Sequence, residues 1–176
     1  FTDLVPSADS RLIYVDTDGG NNDTARPYSP SEITDIYNPP SGTLTYAWLS
    51  SALAQLRPGY PDWIIIKRGS QFNPGSSTFI PDSGRSATER AVITTYGTGA
   101  RPLLNTGVNS GFVLRDYNSN LAIRGLDLYA NGRDPDSPDF VGWANVGTPS
   151  GIGATTSLEE RRAILPSSPS EILVQV

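Results

Sequence analysis

The sequence has no Cys, no His and no Met in 176 residues. Without Cys there is no disulfide framework, no thiol nucleophile and no thiolate site for zinc or an iron–sulfur cluster. Without His, Ser-His-Asp catalysis, HExxH metalloprotease chemistry, imidazole-bound metals and a histidine pH switch are excluded together. Positive charge is also scarce: 13 Lys and Arg stand against 18 Asp and Glu, a formal charge of -5. The basic footprint of a nucleic-acid-binding protein is therefore missing. No stretch approaches the length of apolar sequence that a membrane-spanning helix needs. Any chemistry falls to carboxylates, Arg, Lys, Tyr or an oxygen-ligated cation. The absence of Met, with Phe1 first, fits either a trimmed chain or a mature protein that has lost a signal peptide.

What is present is turn-forming. The 17 Gly and 15 Pro predict frequent turns between short strands. Arg11 to Asp16 has the β-branched and aromatic content of a strand. The Gly/Asn/Asp run that follows, and then Pro27, Pro30, Pro39 and Pro40, read as a long surface loop. One helix is expected, beginning near Ser41 or Thr43 and ending before Pro58-Gly59, with Leu44, Trp48, Leu49, Ala52, Leu53 and Leu56 at spacings of three and four. Directly after it, Asp62 to Gly69 is a continuous apolar run ended by charge and Gly, the pattern of a strand buried on both faces. Trp48 and Trp63 are both assigned to the core on this reading.

Beyond that point the chain repeats short apolar segments separated by Gly, Asn, Asp or Ser: Ala91–Tyr96, Pro102–Leu104, Phe112–Arg115 and Leu121–Leu128. Leu114 and Ile123 lie nine residues apart, as do Leu165 and Val174, and the two pairs are offset by 51 residues. That offset suggests one coil recurring after an insertion. It places Ile172, Leu173 and Val174 in a further strand, so the chain is expected to be incomplete at its C-terminus, with an open edge receptive to self-association or a partner chain. A C-terminal edge strand of a small sandwich is the plainer reading. The segment 131–160 is long for a turn and reads as a side loop. Ser157 to Arg162, at its end, has the charge order of one helical turn.

The order of strand Leu12–Asp16, polar loop, helix Tyr46–Leu56 and then Arg57-Pro58-Gly59-Tyr60-Pro61-Asp62-Trp63-Ile64-Ile65-Ile66-Lys67-Arg68-Gly69 resembles the start of the right-handed parallel β-helix (pectate-lyase-like) proteins. Ala91–Gly97 followed by Arg101-Pro102-Leu103-Leu104, and Asn120–Leu128, extend the resemblance, which covers residues 11 to about 130. It implies an all-β solenoid with an N-terminal capping α-helix: one domain over 1–176, with the cap in 1–61 and the first coils in 62–176. The competing fold is a β-sandwich, in which strands alternate more cleanly and the helix has no obvious place.

Candidate site residues follow from composition and alternation. Asp16, Asp18 and Asp23, with Asn21 and Asn22 among them, suit the oxygen-only coordination of Ca2+, although the spacing departs from an EF-hand and an Asx-rich turn is the plainer reading. Asn22-Asp23-Thr24 matches a glycosylation sequon, a match too short to carry weight. With Leu121 and Ile123 pointing inward, Arg124 points outward, and restarting after Gly125 puts Asp127 outward between Leu126 and Leu128. Arg124, Asp127 and Tyr129 are the candidate substrate-binding residues, and a solvated Arg124–Asp127 salt bridge is the plainer alternative. Arg115 and Asp116 flank the preceding segment. Tyr117, Tyr129, Phe140 and Trp143 have the character of a sugar-stacking surface or of aromatic loop cover.

The resemblance implies a secreted or cell-surface protein that binds or processes polysaccharide. If it is an enzyme, it is a polysaccharide lyase or glycoside hydrolase with catalytic residues expected beyond Val176. The rival is a non-enzymatic structural or adhesive module of a cell surface, fibre or phage particle. No nucleic-acid or membrane partner is expected.

Overall fold

Leu12-Ile13-Tyr14-Val15 and Trp63-Ile64-Ile65-Ile66 are almost wholly shielded from solvent, and the architecture is arranged around these two strands. The structure, a computed structural model, describes residues 4–73, 79–114 and 118–141. It is mostly β, with two parallel sheets. The first holds β1 (Leu12–Val15), β2 (Trp63–Lys67), β4 (Ala91–Tyr96) and β6 (Leu121–Ile123), in the order β1-β2-β4-β6. The second holds β3 (Gln71–Phe72), β5 (Leu103–Asn105) and β7 (Asp127–Tyr129), in the order β3-β5-β7. From β2 onward the chain visits the two sheets alternately. Outside both, Phe79 and Phe112 form a lone parallel bridge with ring centroids 5.9 Å apart.

Register explains the apolar runs. Ile13, Ile64, Ile93 and Ile123 stand in one row across the first sheet, facing an interior shared with Phe72, Phe79 and Leu104. Branched side chains stack there at the strand spacing of about 4.8 Å. The alternate row, Leu12, Trp63, Val92 and Ala122, faces the other way. There it meets Leu4, Tyr28, Ile33 and Ile36 from the N-terminal segments. The first sheet is thus buried on both faces, which is why β2 reads as apolar without alternation.

The loop over that outer face is tied down along its length. Leu12 and Tyr28 exchange both backbone hydrogen bonds, at 2.7 and 2.9 Å, and Gly97 N–H donates to the Tyr37 carbonyl at 3.0 Å. The Tyr14 hydroxyl donates to the Ile36 carbonyl at 3.0 Å. On the free edge of β1, Tyr46 N–H donates to Tyr14 O and Asp16 N–H donates to Tyr46 O, so that edge is closed by Tyr28 and Tyr46 together.

Two expectations are corrected. The helix expected from about Thr43 to Leu56 is a single short α1 (Leu49–Leu53). Tyr46 is held extended by its bridge to Val15, Asn22 Oδ1 accepts from the amides of Ala47 and Trp48, and Trp48 itself is extended with no side-chain cap. After Leu53 the turn tightens, with Leu56 N–H donating to Leu53 O, and Pro58 follows. Leu49, Ala52, Leu53 and Leu56 do pack into the interior, so the apolar stripe has its expected use over a shorter span. Trp48, assigned to the core, is instead 66% exposed, and Leu44 is 41% exposed; both precede the helical turn that would have aimed them inward.

Gly125 turns the chain from β6 into β7 at φ +76, as Gly69 does between β2 and β3 at φ +88, a conformation that costs other residues dearly. Leu165, the strand expected at Ile172 to Val174, the helical turn expected at Ser157 to Arg162 and most of the 131–160 side loop lie outside the described residues. Among the described residues no helix is long and apolar enough to cross a membrane.

Candidate functional site

The acidic loop after β1 is organised by Asp16. Its Oδ1 accepts from the amides of Asp18 and Gly19 at 3.0 and 3.2 Å, and its Oδ2 accepts from Lys67 Nζ at 2.6 Å. Burial disfavours the charged carboxylate, but the Lys67 ammonium and the two amides outweigh it and hold the pKa below the ordinary value. Lys67 is correspondingly raised by Asp16. Asp18 and Asp23 are exposed, and among the described residues no group of three or more acidic side chains is gathered to hold a metal ion. The geometry here is that of an Asx turn locked by an ion pair. Asn22 spends its carbonyl on the backbone before α1.

The three residues singled out for substrate binding fall on two different sheets. Arg124 follows β6, and its guanidinium donates to the Tyr37 hydroxyl and, at 3.3 Å, to Thr94 Oγ1. It clasps the N-terminal loop onto the outer face of the first sheet. Asp127 and Tyr129 lie beyond the Gly125 corner, on the second sheet. Asp127 faces Arg101 at 3.6 Å, so Arg124 and Asp127, both outward as alternation requires, serve different partners.

Among the described residues, the outer face of the second sheet carries less cover than that of the first, with Gln71, Asn73 and Tyr129 exposed. Phe72, Leu104 and Leu128 point into the interior, so their neighbours point out. One outward row is Gln71, Leu103 and Asp127. In the other, Asn105 pairs with Tyr129, and its amide Nδ2 donates to Asn73 Oδ1 at 2.8 Å. Tyr129 is 36% exposed. Its hydroxyl donates to Asp134 Oδ2 at 2.7 Å, and that bond, with smaller help from burial, raises its pKa. The loop after β7 is fastened back: Asn131 Oδ1 accepts from Gly107 N–H at 2.8 Å, its Nδ2 donates to Asp139 at 2.9 Å, and Arg133 donates to the Val108 carbonyl.

Gln71, Asn73, Arg101, Leu103 and Asn105 were not singled out from the sequence. The available signal was Gln71-Phe72-Asn73, Leu103-Leu104-Asn105 and Asp127-Leu128-Tyr129, three triplets each with an apolar centre; two-residue alternation is too short to stand out in a chain so rich in turns. Of the aromatic set, Phe140 is half-buried, while Tyr117 and Trp143, like Arg115 and Asp116, lie outside the described residues. Chemically, the face offers amide donors and acceptors, an aromatic ring held by its hydroxyl, and a guanidinium–carboxylate pair. Asp82, in the loop before β4, has its carboxyl pushed up by burial, but one such group is not the acid–base pair that glycoside hydrolysis uses.

No protein-family model, curated protein or solved structure matches this chain.

Proposed function

We propose that the chain is the capped N-terminal portion of a right-handed parallel β-helix, secreted or displayed at a surface, and that it binds polysaccharide without cleaving it. The fold reading is supported by the alternation of the chain between two parallel sheets, by the glycine corners between them and by the closed edge of β1. The observation that carries the binding reading is the outer face of the second sheet, where Asn73, Asn105 and Tyr129 form one aligned row. Amides exchange hydrogen bonds with hydroxyls in either direction, and an exposed ring suits the apolar face of a pyranose. The corresponding face of the first sheet is already occupied by the N-terminal loop.

That sealed face is also what favours the second reading, a structural or adhesive module, because the first sheet then offers no groove to a ligand. Affinity electrophoresis through gels cast with different polysaccharides separates the two. Retardation that is lost in an Asn105→Ala/Tyr129→Ala variant, with no release of reducing ends or unsaturated product, is the expected result. Migration unchanged by every polysaccharide would overturn the binding reading and leave the scaffold.

A further inference from the structure

The row on the second sheet contains only uncharged groups, and what surrounds it is acidic. The Asn105 amide donates to the Asn73 carbonyl, which leaves the Asn73 NH2 as the donor and the Asn105 carbonyl as the acceptor presented by that pair. The Tyr129 hydroxyl is committed to Asp134, so the ring face, rather than the phenol oxygen, is what the third position offers. Donor, acceptor and aromatic face succeed one another at the strand spacing of about 4.8 Å. Beside them, among the described residues of β7, the loop after it and the segment before β5, Asp127, Asp134, Asp136 and Asp139 stand against Arg101 and Arg133. Of these two cations, Arg101 already faces Asp127, and Arg133 donates to the Val108 carbonyl.

We infer that the ligand of this face is a neutral, extended glycan, and not a polyuronate. The inference rests on the carbohydrate reading above and narrows it. A uronate polymer carries a carboxylate on each sugar, and binding it calls for cations aimed outward, usually planar guanidinium forks. Among the described residues named above the carboxylates outnumber the guanidiniums, so a polyanion meets like charge as it approaches. A neutral glycan meets no such field. Its hydroxyls match the two amides, and one sugar face lies on the Tyr129 ring. The preference against polyanions is electrostatic and therefore weakens as added salt shortens the screening length.

The test is equilibrium binding of the whole chain to neutral oligosaccharides of glucose, xylose and mannose, and to oligogalacturonate of similar length, at low and at high salt. At least one neutral ligand is expected to bind about tenfold more tightly than oligogalacturonate at low salt, with the gap narrowing at high salt. Tyr129→Ala is expected to weaken neutral binding about tenfold, as loss of a central aromatic contact does. Asn105→Ala, checked for an unchanged melting temperature, is expected to do so to a lesser degree. Oligogalacturonate binding as tightly as any neutral ligand overturns the charge inference and leaves the carbohydrate reading standing. Neutral binding insensitive to both substitutions overturns the placement on this face. Binding of neither class overturns the carbohydrate reading itself.

Discussion

Asp62 has no solvent exposure and accepts four hydrogen bonds, which makes Asp62→Ala the most informative single perturbation of the fold. Its Oδ1 receives Arg11 N–H at 2.8 Å and Arg57 Nη2 at 2.5 Å, and its Oδ2 receives Arg57 N–H at 3.0 Å and Arg57 Nε at 2.9 Å. The carboxylate thereby joins the segment before β1 to the turn before β2. Truncation orphans two backbone donors, at about 1–3 kcal/mol each. It also leaves the Arg57 guanidinium without its partner. That guanidinium is 27% exposed and rehydrates in part, so the total settles near the cost of about 3–5 kcal/mol for breaking a buried pair. With a urea dependence of about 2 kcal/mol per molar, the unfolding midpoint falls by roughly 2 M. Asp62→Asn keeps the shape and one acceptor and is expected to lose about half as much. The control is Arg26→Ala, which breaks the Arg26–Glu32 pair, whose side chains are 50% and 42% exposed, and is expected to leave the midpoint unchanged. If Asp62→Ala unfolds at the same urea concentration as Arg26→Ala, the carboxylate does not hold these segments together and the reasoning is refuted.

Alkaline pH is expected to destabilise the protein. Burial, with the nearby Asp16 charge, pushes Tyr96 up to about 12, and burial raises Tyr14 as well. The folded state therefore keeps protons that the unfolded state releases, so this contribution is complete below pH 10 and is lost as pH rises from about 10 towards about 12, by of the order of 2 kcal/mol for Tyr96. Melting temperatures of wild type and Tyr96→Phe across that window measure it, and parallel curves would refute it. Gly84→Ala is expected to cost about 3 kcal/mol or more, because a Cβ there would lie 2.3 Å from Ala91 N and 2.5 Å from Asn120 O; chemical denaturation reads the change. Leu49→Asp, placing a charge in the interior, is expected to unfold the protein, whereas Trp48→Ala, one residue earlier, is expected to change stability by no more than about 0.5 kcal/mol. A thermal melt of each distinguishes them, and the reverse order would restore the longer helix.

The strands were legible where a run of apolar or β-branched residues ended in Gly or charge: Ala91–Tyr96 and Trp63–Lys67 lie where the pattern puts them, because burial on both faces removes the polar alternation. The inward and outward alternation around Leu121, Ile123 and Arg124 was legible as well. What alternation does not carry is the direction of the chain after a corner. Gly125 moves Asp127 to a different sheet, so two residues three apart that both point outward share no face. The helix was overread because the spacing of Leu44 and Trp48 matched its period, while the competing claim on Tyr46 comes from β1, far away in sequence. The cover over the first sheet was hidden in a stretch of Pro, Ser and Asp that reads as surface loop; only Tyr28, Ile33 and Ile36 hinted that one side of it was apolar.

The closed edge of β1 bears on synthesis. Strands emerge from the ribosome in chain order, and the contacts that occupy one edge of β1 come from Tyr28 and Tyr46, both made before β2. The other edge must wait for a strand about 51 residues on, an interval of roughly 3–10 s at about 5–20 residues per second. From the emergence of Tyr46 until β2 arrives, the nascent chain has one occupied side and one adhesive side. Later strands then find a single place to dock, so the order of translation and the order of stacking coincide, and a misplaced strand meets a side already held by Tyr28 and Tyr46.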